Sequence, residues 1–274
     1  MHKNNKLTHL ILQILCDIVR SAIKNQQYQE CDIMRIDQTK CVGCGECQKY
    51  CMLECIRADP ESALYTIDED QCVDCGVCLR ASVCPVDAIS MPPENFLYPR
   101  AIRMQFSDPS VQHPNLKAWG RGTEEAKTND VTGKFGRGEY GLLLEFGRPC
   151  TGTTFAEVEK VTMAMRARNI PIIEDNPVYG LLEDPETGRF KPEYVNERVL
   201  SAILELNVRE EELEDIMSTM LPRLEDLDTV VSVGLVTRFE RDASLPVVKR
   251  LQAMGLTVRP NAKINVGLGR PLID

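Results

Sequence analysis

"CVGCGECQKYCMLEC" (Cys41–Cys55) and "CVDCGVCLRASVCP" (Cys72–Pro85) are two versions of one theme. In each, three cysteines stand two residues apart: Cys41, Cys44 and Cys47, then Cys72, Cys75 and Cys78. A fourth follows, Cys51 after three intervening residues in the first run and Cys84 after five in the second. The first run also carries a spare, Cys55, and has Met52 where the second has Pro85. Gly43, Gly45 and Gly76 allow positive φ and leave backbone N–H groups free to face sulfur, so three thiols on one tight loop can converge on one centre.

Ten of the twelve cysteines fall between Cys31 and Cys84. That density means disulfides in a secreted protein or thiolates held for metal in a reducing compartment. The apolar run Leu10–Cys16 is broken by Gln13 and stopped by Asp17 and Arg20. It lacks a small-residue cleavage site and is too short to span a bilayer. The reading is therefore a cytoplasmic chain with metal-bound thiolates and no membrane insertion. Leu7, Leu10, Ile11, Ile14, Leu15, Ile18 and Ala22 recur at helical spacing, which predicts an amphipathic helix packed on this chain or on a partner subunit. Met34 offers an alternative start. A net charge of −9 and 5% aromatic residues argue against nucleic acid or anionic membrane as partner.

Zinc sites use cysteines in pairs. Triplets with a distant fourth cysteine, given twice, have the spacing of two [4Fe-4S] clusters. Residues Cys41 to Met91 resemble the bacterial two-[4Fe-4S] ferredoxin domain along its whole length. Each half of that family reads C-x-x-C-x-x-C, then C-P-x-x-A-I, and a hairpin joins the halves. Here Cys84-Pro85-Val86-Asp87-Ala88-Ile89 overlays Cys51-Met52-Leu53-Glu54-Cys55-Ile56. The resemblance implies one cluster on Cys41, Cys44, Cys47 and Cys84, and a second on Cys72, Cys75, Cys78 and Cys51. Cys55 then takes the alanine position as a small buried hydrophobe. Its exchange with Cys51 as ligand is the alternative. The two extra residues before Cys84 can bulge outward cheaply. Asp59–Ser62 reads as a turn leading into a strand at Leu64–Ile67. A cubane with four thiolates has no open iron site, so it passes electrons singly and binds no substrate. Twelve acids against five bases between Cys31 and Asn95 give this region −7, which suits a basic partner as well as an ordinary solvated face.

The chain divides into an extension (1–33), the ferredoxin-type module (34–93), a Gly- and charge-rich connecting segment (94–140) and an α/β domain (141–274). Glu94 to Gly141 reads as irregular, above all "WGRGTEEAKTNDVTGKFGRGEYG" (Trp119–Gly141). A loop of this length wraps a partner or binds something. Arg121, Lys127, Lys134 and Arg137 could hold a flavin or nucleotide phosphate, although no phosphate-loop fingerprint is present. Trp119 reads as a packing anchor. Beyond it, strands are predicted at Leu142–Phe146, Ile170–Ile173, Val199–Leu206 and Thr229–Val236. Helices are predicted at Phe155–Arg168, capped by Thr153 or Thr154, and at Arg209–Leu221, stopped by Pro222. A last helix at Leu245–Met254, capped by Gly255, leads to a strand at Leu256–Arg259 and a tail at Lys263–Gly269. The order βαββαβ gives an α+β chain in which a two-cluster module precedes a ferredoxin-like sandwich. That sandwich resembles ACT-type pairing modules and could carry homo-oligomer contacts. Cys150 reads as a free buried thiol, and no residue is offered as catalytic.

The string "RGTEE…TNDVTG…GRP" resembles a segment of anaerobic reductases such as 6-hydroxynicotinate reductase, which implies reductive metabolism. The expected role is a low-potential electron-transfer iron–sulfur subunit of a multi-subunit anaerobic oxidoreductase. A catalytic reductase subunit binding flavin or substrate, and a cluster-containing assembly or regulatory protein, are the alternatives.

Overall fold

The computed structural model describes residues 34–113, 135–148 and 150–259. The helix expected within residues 1–33, Trp119 with most of its glycine-rich stretch, and the Lys263–Gly269 tail lie outside the described residues. Two apolar cores organise the rest, a small one among the cysteines and a larger one beneath a three-stranded sheet.

The small core is framed by four short strands: β1 (Arg35–Ile36), β2 (Ile56–Ala58), β3 (Tyr65–Ile67) and β4 (Ile89–Ser90). β1 pairs antiparallel with β4, so the residues before the first cysteine run close onto those after the second. β2 pairs with β3 across the predicted turn. Asp59 forms that turn, its Oδ1 accepting the backbone N–H groups of Glu61 and Ser62 at 2.9 and 2.8 Å. Met34, Ile56, Ala88 and Ile89 fill the space between the strands with Cys47, Cys55 and Cys72. A single turn of helix, α1 (Val77–Arg80), holds Cys78.

Residues 94–113, expected to be irregular, contain helix α2 (Ala101–Ser107), all seven residues of which are buried. The sequence hid it because both of its faces are used. Ile102 and Phe106 enter the large core, while Arg103 reaches the second cysteine loop. A helix covered all round shows no amphipathic stripe.

The large core begins with β5 (Glu139–Phe146), followed by β6 (Thr153–Thr154) and α3 (Phe155–Arg166). A hairpin of β7 (Leu182–Asp184) and β8 (Arg189–Phe190), a turn α4 (Pro192–Val195) and β9 (Arg198–Val199) come next. β10 (Ala202–Arg209), α5 (Leu213–Glu225), β11 (Val231–Val236) and α6 (Pro246–Ala253) complete the described order. β5 is the central strand, with β10 and β11 antiparallel on either side. Leu144 lies opposite Leu204 and Leu142 opposite Leu206, all completely buried. Phe155, Val158, Val161 and Met165 of α3 bury against this face with Leu213, Ile216, Met217 and Met220 of α5. Phe155 also stacks on Phe190 at 5.5 Å and meets Phe106 edge-on at 5.2 Å.

Four local expectations are corrected. The Ile170–Ile173 strand shrinks to one antiparallel bridge, Ile172 to Leu206; Pro171 has no N–H to extend it. The strand expected at Val199–Leu206 begins three residues later, because Arg198 and Val199 pair with β6 instead. α5 runs through Pro222 to Glu225. The lost hydrogen bond is outweighed by Leu221, Leu224 and Leu227, which pack on the core around it. Leu256–Arg259 forms no strand. Gly255 instead adopts φ +81° and the Leu256 N–H donates back to the Leu251 carbonyl at 3.1 Å, a Schellman-type helix end that lays Leu256 on the core.

Candidate metal centre

The same backbone bends occur in both cysteine runs. Gly43 and Gly45 lie in the left-handed region at φ +69° and +73°; their counterparts Asp74 and Gly76 lie there at +52° and +67°. A Cβ on Gly45 would stand 2.6 Å from the Tyr65 hydroxyl oxygen, so any side chain here must push the tyrosine ring off this loop as well as strain the left-handed backbone. The fourth cysteines also share a turn. The Glu54 N–H donates to the Cys51 carbonyl at 3.1 Å, and Asp87 N–H to the Cys84 carbonyl at 3.3 Å. Glu54 and Asp87 both turn left-handed, at φ +53° and +49°. Met52 in place of proline therefore leaves the turn intact. The two extra residues before Cys84 are taken up in the turn after α1, where Ser82 N–H donates to the Leu79 carbonyl at 3.1 Å.

These bends gather the thiols around two cavities. The first, about 300 Å³ including space open to solvent, is lined by Cys41, Cys44, Cys47 and Cys84, with Ile36, Tyr65, Val86 and Ile89. The second, about 430 Å³ on the same measure, is lined by Cys72, Cys75, Cys78, Cys51 and Cys55, with Met34, Ile56, Ile67, Val73 and Leu200. All ten described cysteines are free thiols. Among the described residues no group of three or more His, Cys, Asp or Glu is placed to hold a metal ion. Each cavity is lined by at least four sulfur donors, a set that suits a cluster with its own inorganic core.

Burial pushes the Cys47 and Cys75 thiols up and drives Cys78 to about 12. The thiol hydrogen bond from Cys55 holds Cys51 down at about 6 and raises Cys55 in turn. Metal binding must therefore displace protons from Cys47, Cys75 and Cys78. One sulfur already receives a backbone donor, the Ala88 N–H at 3.2 Å from Cys84 Sγ. Thiolate donors, a largely apolar lining and an N–H aimed at sulfur fit an iron–sulfur cluster.

Three arginines, which sequence reasoning missed, fasten the second cysteine loop to the rest of the chain. Arg80 donates to the Cys75 carbonyl at 2.7 Å and pairs with Asp108 at 2.5 Å. Arg103 donates to the carbonyls of Glu69 and Cys72 at 2.8 and 2.7 Å and forms a short ion pair with Glu197. Arg100 lies against Asp74, Nε 2.8 Å from Oδ2, with Nη2 donating to Oδ1 at 3.1 Å. Asp74 is fully buried; burial raises its carboxyl and Arg100 opposes that. The signal available in the sequence was the overlay of the two runs, which sets Asp74 opposite Gly43.

Leu200, between β9 and β10, lines the second cavity, and its N–H donates to Ser107 Oγ at 2.9 Å. The first cavity faces outward, with Cys44 exposed and Val42 60% exposed. Cys150, read as a buried thiol, is exposed, because a left-handed turn at φ +55° carries it out to 3.3 Å from the Met52 sulfur. His113 is buried against Phe106, ring centroids 5.1 Å apart.

Fold and thiols together define residues 34–91 as a ferredoxin-type iron–sulfur segment. The family model that matches those residues is the 4Fe-4S dicluster domain. Neither the curated proteins nor the solved structures returned a match.

Proposed function

We propose that this chain binds two [4Fe-4S] clusters, one on Cys41, Cys44, Cys47 and Cys84 and the other on Cys72, Cys75, Cys78 and Cys51. In this reading it relays single electrons as the iron–sulfur subunit of a larger anaerobic oxidoreductase, and other subunits carry the catalysis. The observation that carries the reading is the exchange between the runs: each cavity is lined by the three close cysteines of one run and the distant fourth of the other. Bound clusters supply one-electron chemistry and no open iron site. The chain's residues hold the sulfurs, line the cavities with Ile36, Val86, Ile56 and Leu200, and direct the Ala88 N–H at the Cys84 sulfur. So many free thiols suit a reducing, cytoplasmic setting. Among the described residues no helix is long and apolar enough to cross a membrane.

The domain reading belongs to the same proposal: a module at 34–93 and a βαββαβ sandwich within 141–274. Support comes from the strand order, in which the Ile172 bridge, β10, β5 and β11 lie side by side, all antiparallel. This is the plait order with its second strand cut to one residue.

The test is anaerobic purification of the full chain with iron and sulfide analysis and paramagnetic resonance after reduction. The expected result is about eight iron atoms and two interacting reduced clusters, falling to about four in Cys84→Ala. The isolated chain should accept electrons without turning over a substrate. Zinc, or turnover by the chain alone, contradicts the proposal.

A further inference from the structure

We propose that Cys55 is an interchangeable fourth ligand of the second centre, which thus has five thiols for four positions. The inference rests on the ligand assignment above. Cys55 Sγ stands 3.1 Å from Cys51 Sγ, and both line the same cavity. The pair is a product of the local fold. The left-handed turn at Glu54 swings the chain back, so Cys55 lands beside Cys51 as Ala88 lands beside Cys84. In the first centre that neighbouring position holds an inert methyl; in the second it holds a sulfur, only 4% exposed and packed in the small core.

A second feature points the same way. Pro85 fixes φ directly after Cys84, whereas Met52 imposes no ring constraint on the backbone after Cys51. Among the described residues, only the second centre therefore has both a spare thiol beside its ligand set and no proline after the ligand it would replace. In the exchange, the iron bond to Cys51 sulfur breaks and one to Cys55 sulfur forms. The proton leaving Cys55 passes to Cys51, and no electron is gained or lost. Cys51 is half-buried and Cys55 buried, so the exchange would move the fourth ligand to a less exposed sulfur.

The test compares full-length Cys51→Ala, Cys55→Ala, the double variant and Cys84→Ala, each reconstituted anaerobically with iron and sulfide. Both single variants at 51 and 55 should keep about eight iron atoms, Cys51→Ala with a shifted resonance spectrum. The double variant should fall to about four. Loss of half the iron in either single variant overturns the proposal. If Cys84→Ala keeps all its iron, the ligand assignment fails instead. Should a variant not fold, alkylation of the reconstituted wild-type chain followed by mass mapping decides the matter. Label at Cys51 in some molecules and Cys55 in others supports exchange; label at only one of them overturns it.

Discussion

Replacing Arg100 by alanine strands the Asp74 carboxyl at the heart of the second cysteine loop. Asp74 has no solvent exposure, and Arg100 is its charged partner at 2.8 Å. Removing one member of a buried pair costs about 3–5 kcal/mol, because the other charge stays desolvated. The reciprocal change, Asp74→Gly, is milder. It gives up a charge-assisted hydrogen bond worth about 1.5–3 kcal/mol but relieves about 1 kcal/mol of left-handed strain. The Arg100 side chain it leaves behind is 16% exposed and can turn to water. Its net cost is about 0.5–2 kcal/mol. With the pair already broken in the unfolding transition state, and at about 1.4 kcal/mol per decade, unfolding in fixed guanidinium should quicken roughly a hundred- to several-thousand-fold in Arg100→Ala and about two- to thirty-fold in Asp74→Gly. The assay is far-ultraviolet dichroism of the metal-loaded chain under anaerobic conditions. Once Asp74 is gone, the Arg100 change should add little. Equal effects of Arg100→Ala in both backgrounds would refute the reasoning.

Gly45→Ala should lower stability by more than the about 1 kcal/mol of a left-handed alanine, because its methyl meets the Tyr65 hydroxyl at 2.6 Å; Gly138→Ala, at φ +78° with nothing within 4 Å, is the control. Denaturant midpoints of the two variants measure the difference. Phe155→Ala should cost about 3–5 kcal/mol, since the ring is wholly buried and touches two others. Burial holds His113 down at about 4, with neither ring nitrogen hydrogen-bonded, against about 6.5 when unfolded. Between those values the unfolded chain binds the proton and the folded chain does not. His113 therefore lowers stability as pH falls from about 6.5, by about 3 kcal/mol at pH 4. The difference between wild type and His113→Leu, titrated over that range, should show this slope; parallel curves would count against it.

What the sequence made legible was whatever a local rule governs. Cysteine spacing and glycine placement pointed to the thiols that line the two cavities, four in the first and five in the second, and alternation or helical period found β3, β5, α3 and α6. What it hid was set by tertiary contact. α2 has no solvent-facing stripe because all seven of its residues are buried, and periodicity is blind to such a helix. Nothing local marks Arg80, Arg100 and Arg103, since their partners are backbone carbonyls and carboxylates, the latter distant in sequence. Pro222 read as a helix stop because local propensity says so, and packing of the leucines around it prevails. Cys150 was placed inside on residue type alone, when a left-handed turn decides where it points.

The repeated bends give the molecule an internal control. Glycine in one half is matched by aspartate in the other, proline by methionine, alanine by cysteine, each on a near-identical stretch of main chain. Moving one such residue across the repeat alters a single side chain while its twin serves as reference in the same tube. Asp74→Gly, Met52→Pro and Cys55→Ala each restore one element of that sameness. Made in turn, they would show which of its differences the second half of the pair has come to depend on.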